Sequence, residues 1–158
     1  MWLFVSELNL FNYYLLSCWL FNMDTSKPKV LIVDDNSVCL KLAMSFAQES
    51  CQCVGVDNGE KALTAFVDTF RNNETKYNVI LLDYEMPSMT GLEVLTEIRN
   101  AEKKRNVSKA DRVKIIMTTS YNDRQVVNAC KVMGCDHYLL KPITFKSLQA
   151  RLKALNVI

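Results

Sequence analysis

The sequence predicts an α/β domain built on a parallel sheet with helices on both faces, and three observations carry that prediction. Short runs rich in Val, Ile and Leu recur five times between segments whose apolar residues repeat at helical spacing. The strongest of these runs are continuous rather than alternating, the mark of strands covered on both faces. Each run is followed by a segment long enough for a helical crossover, which in such sheets is right-handed.

Taken in order, VLIVDD (Val30 to Asp35) is the first strand. Asn36 is placed to cap a helix through about Ser50, in which Val38, Leu42 and Phe46 repeat at i, i+4, i+8. CQCVGVDNG is a weaker second strand ending in a turn, and EKALTAFVDTF is the second helix. NVILLDY (Asn78 to Tyr84) is a buried third strand. Met86 to Gly91 is a loop, and Leu92 to about Glu102 a third helix. Val113 to Thr119 forms the fourth strand, Asn122 or Asp123 caps a helix to Met133, and Gly134 closes it. His137 to Leu140 is the fifth strand, and Thr144 opens a last helix to about Leu155.

Length and composition bound the function. A chain of 158 residues, 49% hydrophobic and 23% charged, is one packed domain that needs no disulfides. A net charge of +2 predicts neither nucleic-acid nor membrane binding. Its distribution is uneven: seven basic residues between Arg99 and Lys114 face only Glu102 and Asp111, a local +5 that leaves the rest at −3. That stretch reads as a solvated helix end and loop, or as a partner contact. The six cysteines contain no CxxC pair and the only histidine is His137, which excludes zinc-finger and thioredoxin-like sites. They read as reduced core cysteines of a cytoplasmic protein.

Residues 1–22 form an extension distinct from the domain of residues 23–158, with 16 apolar or aromatic positions and one charge, Glu7. It lacks the basic start and cleavage site of a signal peptide. Three readings stand: Met23 as the natural start, a membrane anchor interrupted by Glu7, Asn9 and Asn12, or an extra helix packed on the domain or a partner. If it is an anchor, Lys27 and Lys29 place the domain in the cytosol.

In open α/β sheets ligands bind beyond the carboxyl ends of the strands. Those ends carry Asp34 and Asp35, Asp83, Thr119 with Ser120, and Lys141. A lone acid ending a strand is most simply a helix cap, but three carboxylates brought together demand a cation, and hard oxygen donors suit Mg²⁺. A lysine and a hydroxyl from the other strands add a charge and a donor for an anion. The set is that of a phosphoryl group meeting Mg²⁺ and a carboxylate nucleophile.

From about Lys29 to Leu155 the chain resembles the receiver domain of two-component response regulators. VLIVDDN carries the acidic pair; ILLDYEMPSMTG an aspartate with Met-Pro three and four residues on and Gly eight on; IIMTTS the hydroxyl residue; YLLKP the lysine and proline. The resemblance implies a flavodoxin-like, doubly wound five-stranded parallel sheet of strand order 2-1-3-4-5. It implies that Asp83 accepts a phosphoryl group from a phosphohistidine, that Asp35 and Asp83 ligate Mg²⁺ directly and Asp34 mainly through water, and that the main-chain carbonyl of Glu85 completes the protein's share. Lys141 is expected to pair with a phosphoryl oxygen, and Pro142 to follow a cis peptide bond. Thr119 is the implied switch hydroxyl; Thr118 competes, and the family's spacing of 22 residues before Lys141 selects Thr119. Tyr138 falls at the aromatic switch position, with a partly buried strand tyrosine as the plainer reading. Glu85 and Tyr121 occupy positions that tune the lifetime of the acyl phosphate. His137 reads as structural.

Two features depart from the family pattern: KKRNVSKADR lengthens the connection before the fourth strand, and the N-terminal extension has no counterpart. Because the last helix ends near Leu155 and the sequence stops at Ile158, the expectation is a stand-alone receiver without a DNA-binding output domain, catalysing only its own phosphorylation and dephosphorylation. Its implied partners are a histidine kinase or histidine phosphotransfer protein and a downstream target. The face of the fourth helix, fourth and fifth strands and fifth helix is the element phosphorylation is expected to bias. The alternatives are a non-phosphorylated interaction module of the same fold, and a haloacid-dehalogenase-type phosphatase. The phosphatase needs a second Asp two residues after its nucleophile, where this chain has Asn36 or Glu85.

Overall fold

The computed structural model describes residues 27–71, 75–120 and 124–158. The extension of residues 1–22, the helix cap at Asn122 or Asp123, and Tyr121 lie outside the described residues. The strands are β1 (Lys29–Val33), β2 (Gln52–Val56), β3 (Val79–Asp83), β4 (Lys114–Thr119) and β5 (His137–Leu140). Between and after them run α1 (Ser37–Ala47), α2 (Gly59–Arg71), α3 (Gly91–Lys104), α4 (Arg124–Val132) and α5 (Phe145–Ala154). All strand pairs are parallel, in the order β2-β1-β3-β4-β5. Strand order reverses between β1 and β3, so a crevice opens above the carboxyl ends of those two strands.

Period-two alternation divides the core into two layers. Leu31 and Val33, Ile80 and Leu82, and Ile115 and Met117 pack on Ala62 and Phe66 of α2, Val94, Leu95 and Ile98 of α3, and Cys130 of α4. Val30 and Ile32, Val79 and Leu81, Ile116 and Leu139 pack on Ala43 and Ala47 of α1 and Leu148 and Leu152 of α5. Truncating any such fully buried leucine or isoleucine to alanine costs about 2–5 kcal/mol. Among the described residues no helix is long and apolar enough to cross a membrane. The five described cysteines form no disulfide, and burial pushes the Cys53 and Cys135 thiols up to about 11.

Two stretches carry more than their sequence pattern shows. On α1 the repeat Val38, Leu42, Phe46 divides: Val38 is 72% and Leu42 44% exposed, while Phe46 is half-buried and packs against the core. The face turned inward is Leu40, Ala43, Met44 and Ala47, whose i, i+3, i+4, i+7 spacing covers the sheet more broadly. The basic stretch is not simply solvated either. Arg99 donates to Glu102 at 2.8 Å, to Asp136 at 3.1 Å and to the carbonyls of Val113 and Gly134. Glu102, 1% exposed, also accepts the Val113 N–H at 2.8 Å, and Asp136 accepts the Ile115 N–H at 2.8 Å. This network ties α3, the start of β4 and the α4–β5 turn together at the amino edge of the sheet.

Candidate functional site: an acidic pocket at the carboxyl edge of the sheet

Each site residue is delivered by the end of a buried strand. After Val33 the chain leaves β1 through Asp34 and Asp35, and Asn36 starts α1 by accepting the N–H groups of Val38 and Cys39 at 3.0 and 3.1 Å. Asp34 is buried, with one oxygen accepting the Asn36 N–H at 2.9 Å, while Asp35 is exposed. Asp83, the last residue of β3, is 3% exposed. One ligand oxygen from each of the three aspartates lies within 4.8 Å of the others.

Lys141 arrives just past β5, and the Lys141–Pro142 peptide bond is cis. Its ammonium lies 2.8 Å from Asp34 Oδ2 and 2.9 Å from Asp83 Oδ2. Burial pushes the Asp83 carboxyl above its ordinary value and neighbouring Asp34 adds to this, against the Lys141 ammonium and a hydrogen bond from the Glu85 N–H. Burial works to lower Lys141, but hydrogen bonds and attraction from the two aspartates outweigh it and leave it above the usual lysine value. Two buried carboxylates share one ammonium, and Asp35 adds a third negative charge. The donors are hard oxygens short of positive charge, which fits a divalent cation such as Mg²⁺.

The loop after β3 is shaped around Asp83. The Tyr84 N–H donates to the Thr118 carbonyl at 2.8 Å and the Gly91 N–H to the Tyr84 carbonyl at 2.9 Å, folding the chain back before α3 begins. A Cβ at Gly91 would collide with the Asp83 carbonyl, so only glycine fits eight residues past that aspartate. Thr90 and Glu93 close the turn with a reciprocal capping box. Beside Asp35 a cavity of about 360 Å³ opens between Asp57, Asn58, Glu60 and Pro87; neither Asp83 nor Lys141 lines it.

Both candidate hydroxyls are buried, Thr118 and Thr119 each at 1% exposure. Thr118 pairs across the sheet with Asp83 and Thr119 with Leu140. Alternation assigns Thr119 to the face of Ile115 and Met117, and Met117 pairs with Tyr138. Thr119 and Tyr138 are thus diagonal neighbours on one face. Tyr138 is half-buried and borders a cavity of about 320 Å³ with Val127, Cys130, Lys131 and Arg151. Glu85 is exposed. The structure therefore brings Asp34, Asp35, Asp83 and Lys141 into one cluster, with Thr119 and Tyr138 one step along the sheet. The exposure of Val38 and Leu42 on α1, beside Asp35, is a feature that the helical repeat alone did not reveal.

A doubly wound parallel sheet of order 2-1-3-4-5 with acids and a lysine at its carboxyl edge defines a flavodoxin-like domain of the CheY-like class. Within that class the chain belongs to the response regulator receiver domain family, whose model matches residues 30–153. It is 30% identical over 117 residues to two-component response regulator ORR5 of Oryza sativa subsp. japonica, covering 73% of this chain and 79% of that protein. It is 26% identical over 147 residues to histidine kinase 5 of Arabidopsis thaliana, covering 80% of this chain and 15% of that protein. Among solved structures it resembles chemotaxis protein CheY4 of Vibrio cholerae, with a TM-score of 0.68, 23% identity and coverage of 82% and 98%. It also resembles a chain of the Saccharomyces cerevisiae complex between histidine phosphotransfer protein Ypd1 and the receiver domain of response regulator Ssk1. There the TM-score is 0.72, with 23% identity and coverage of 84% and 92%. At that identity both structures speak to the fold alone.

Proposed function

We propose that this receiver accepts a phosphoryl group onto Asp83 from a partner's phosphohistidine and signals by phosphorylation-dependent binding or by phosphorelay. The observation that carries this reading is the buried Asp34–Lys141–Asp83 cluster with its surplus of negative charge. A carboxylate oxygen of Asp83 attacks phosphorus, the P–N bond to the donor imidazole breaks, and that imidazole leaves with its electron pair and is protonated from solvent. Asp35, Asp83 and the Glu85 carbonyl, with Asp34 beside them, would hold Mg²⁺, which would supply neutralisation of charge on the transferring group.

Lys141 already bonds Asp83 and is positioned to follow a phosphoryl oxygen once the carboxylate becomes an acyl phosphate. Its charge disfavours repulsion between the incoming anion and Asp34. Thr119 is the hydroxyl assigned to the phosphoryl group. Its place on the face of Tyr138 supports a coupling in which movement at Thr119 changes the packing of Tyr138, biasing the α4–β5–α5 face. Glu85, exposed beside the site, is placed to influence access of the water that hydrolyses the acyl phosphate.

The donor needs a surface as well as a nucleophile. Val38, Leu42 and Phe145 are 72%, 44% and 41% exposed, and Phe145 packs edge-on against Phe46 at 6.1 Å. This patch spans the starts of α1 and α5, which follow Asp35 and Lys141. It suits the docking of a histidine kinase or histidine phosphotransfer protein with its phosphohistidine over Asp83.

Incubation with Mg²⁺ and acetyl phosphate tests the reading directly by mass spectrometry. The expected result is a base-labile gain of one phosphate, absent without Mg²⁺ and absent in Asp83→Asn. A wild-type chain left unmodified by acetyl phosphate and by a phosphoramidate would instead indicate an interaction module that keeps only the fold.

A further inference from the structure

The segment KKRNVSKADR (residues 103–112) lengthens the connection between α3 and β4 and takes no part in the phosphoacceptor site. Near its centre stands Ser108. Lys103, Lys104 and Arg105 lie five, four and three positions before this serine, and Lys109 follows it directly. All five side chains are exposed. No other hydroxyl residue of the chain stands three places after an arginine.

The fold presents Ser108 in irregular backbone that is lightly held. α3 ends at Lys104, Asn106 turns the chain in the left-handed region at φ 54°, and the Val107 N–H donates back to the Glu102 carbonyl at 3.0 Å. Beyond this stop the Ser108 hydroxyl donates to Asp111 Oδ2 at 2.6 Å and accepts the Asp111 N–H at 3.3 Å. Both residues are exposed, so exchanging these bonds for bonds to water costs little. Arg105 rests over the Phe70 ring, 4.6 Å from its centroid, and donates to the Ala101 carbonyl at a long 3.4 Å. Lys103 and Lys104 occupy the last turn of α3, the part of a helix that frays first. The stretch around the serine is thus able to extend.

We infer that Ser108 is a phosphorylation site for a serine/threonine kinase that reads basic residues ahead of its target. Charge pattern is how such kinases choose substrates, and three exposed cations immediately before an exposed serine complement a cleft lined by carboxylates. A kinase that reads acids would have only Asp111, three residues after the serine, and that carboxylate is already held by the serine itself. In the transfer, Ser108 Oγ attacks the γ-phosphorus of a nucleoside triphosphate and the bond from phosphorus to the bridging oxygen breaks. The diphosphate leaves with that electron pair, and the hydroxyl proton passes to the kinase's base. The phosphoserine carries a charge of about −1.5 to −2 and has no hydroxyl to offer Asp111, so repulsion opens the turn and leaves Arg105 and Lys109 to pair with the phosphate. The product is a phosphate ester before the start of β4, whereas Asp83 ends β3 at the opposite edge of the sheet. It requires nothing of the acidic pocket.

The full chain incubated with Mg²⁺, ATP and the catalytic subunit of cyclic-AMP-dependent protein kinase tests this. Hydroxylamine treatment then removes any acyl phosphate and spares phosphoserine. Mass spectrometry should find one retained phosphate, on the peptide that holds Ser108. Ser108→Ala should abolish it, Arg105→Gln should slow labelling by about tenfold or more, and Asp111→Asn should not slow it. Thermal unfolding by circular dichroism checks that each variant folds. Phosphate on a different residue, an Arg105→Gln rate equal to wild type, or labelling of Ser108 by an acid-directed casein kinase in place of the basic-directed one would each overturn the proposal. A folded chain left unlabelled while a peptide of residues 103–112 is labelled would overturn it as well, because the fold would then withhold the serine.

Discussion

Two charge clusters built from the same residue types sit at opposite edges of one sheet, and they differ in how their charge is balanced. At the amino edge Arg99 serves Glu102 and Asp136, each of which also accepts a backbone N–H, and Arg112 and Lys114 stand a further 3.9 Å away. At the carboxyl edge Asp34 and Asp83 likewise each accept a backbone N–H, from Asn36 and Glu85, but among the described residues they share the single cation Lys141, and Asp83 is pushed up by its burial. The first cluster spends its charge on holding elements together. The second is held in place by the strands beneath it and keeps negative charge in reserve for a cation or a reacting group. A buried ion cluster thus signals function when its count is uneven, and architecture when every lone pair is used.

The largest expected effect lies at the balanced edge. Glu102→Leu leaves Arg99, whose side chain is 12% exposed, facing a lost carboxylate and strips the Val113 N–H of its acceptor. A loss of about 3–4 kcal/mol in urea unfolding is expected, with phosphorylation intact in the molecules that remain folded. If unfolding free energy is unchanged, the two clusters do not differ in the way claimed.

Lys141→Met at the other edge should cost less stability, about 2 kcal/mol, because Asp83 already holds a proton more readily than a free aspartate and relieves part of the repulsion by protonation. Its effect on chemistry should be the greater one: acetyl phosphate labelling of Asp83 falls at least tenfold while Mg²⁺ restores most of the stability. The sign with pH follows from the raised lysine value. The contribution of Lys141 is fully present below 10.5 and is lost only as pH climbs through its higher folded value. A loss of stability equal to that of Glu102→Leu would show the site to be a structural staple as well.

The same contrast explains what the sequence made legible. The acids and the lysine at the carboxyl edge each end a strand of strong local pattern, so VLIVDD, ILLDYEMPSMTG and YLLKP mark the positions that the fold brings together. Gly91 is readable for the same reason, being fixed by its close approach to Asp83 eight residues earlier. The amino-edge network was not readable. Arg99 sits in a basic run, and its partners Gly134 and Asp136 lie 35 and 37 residues away, so a local window sees only a solvated helix end. On α1 two apolar stripes interleave. Periodicity alone does not say that small Ala43 and Ala47 face the sheet while Val38 and Leu42 face outward.

The smallest predicted effect has the opposite sign and so separates the clusters most cleanly. Asp83→Asn removes a buried carboxylate whose ionisation burial disfavours, while keeping an oxygen to accept from Lys141 and Glu85. A folded pKa above the ordinary 3.8 means the native state binds that proton more tightly than the unfolded chain does, so wild-type stability declines as pH rises through the folded value and stays lower at neutral pH. Without Mg²⁺ the variant should therefore be more stable than wild type at neutral pH by on the order of 1 kcal/mol, and that gap should close on acidification below 3.8. Added Mg²⁺ should narrow the gap from the other side, raising the melting temperature of wild type more than that of the variant, because the cation replaces the charge that Lys141 alone does not balance. A variant less stable than wild type under all these conditions would mean that the Asp83–Lys141 pair repays its own desolvation, and the carboxyl edge would then belong with the amino edge as part of the scaffold.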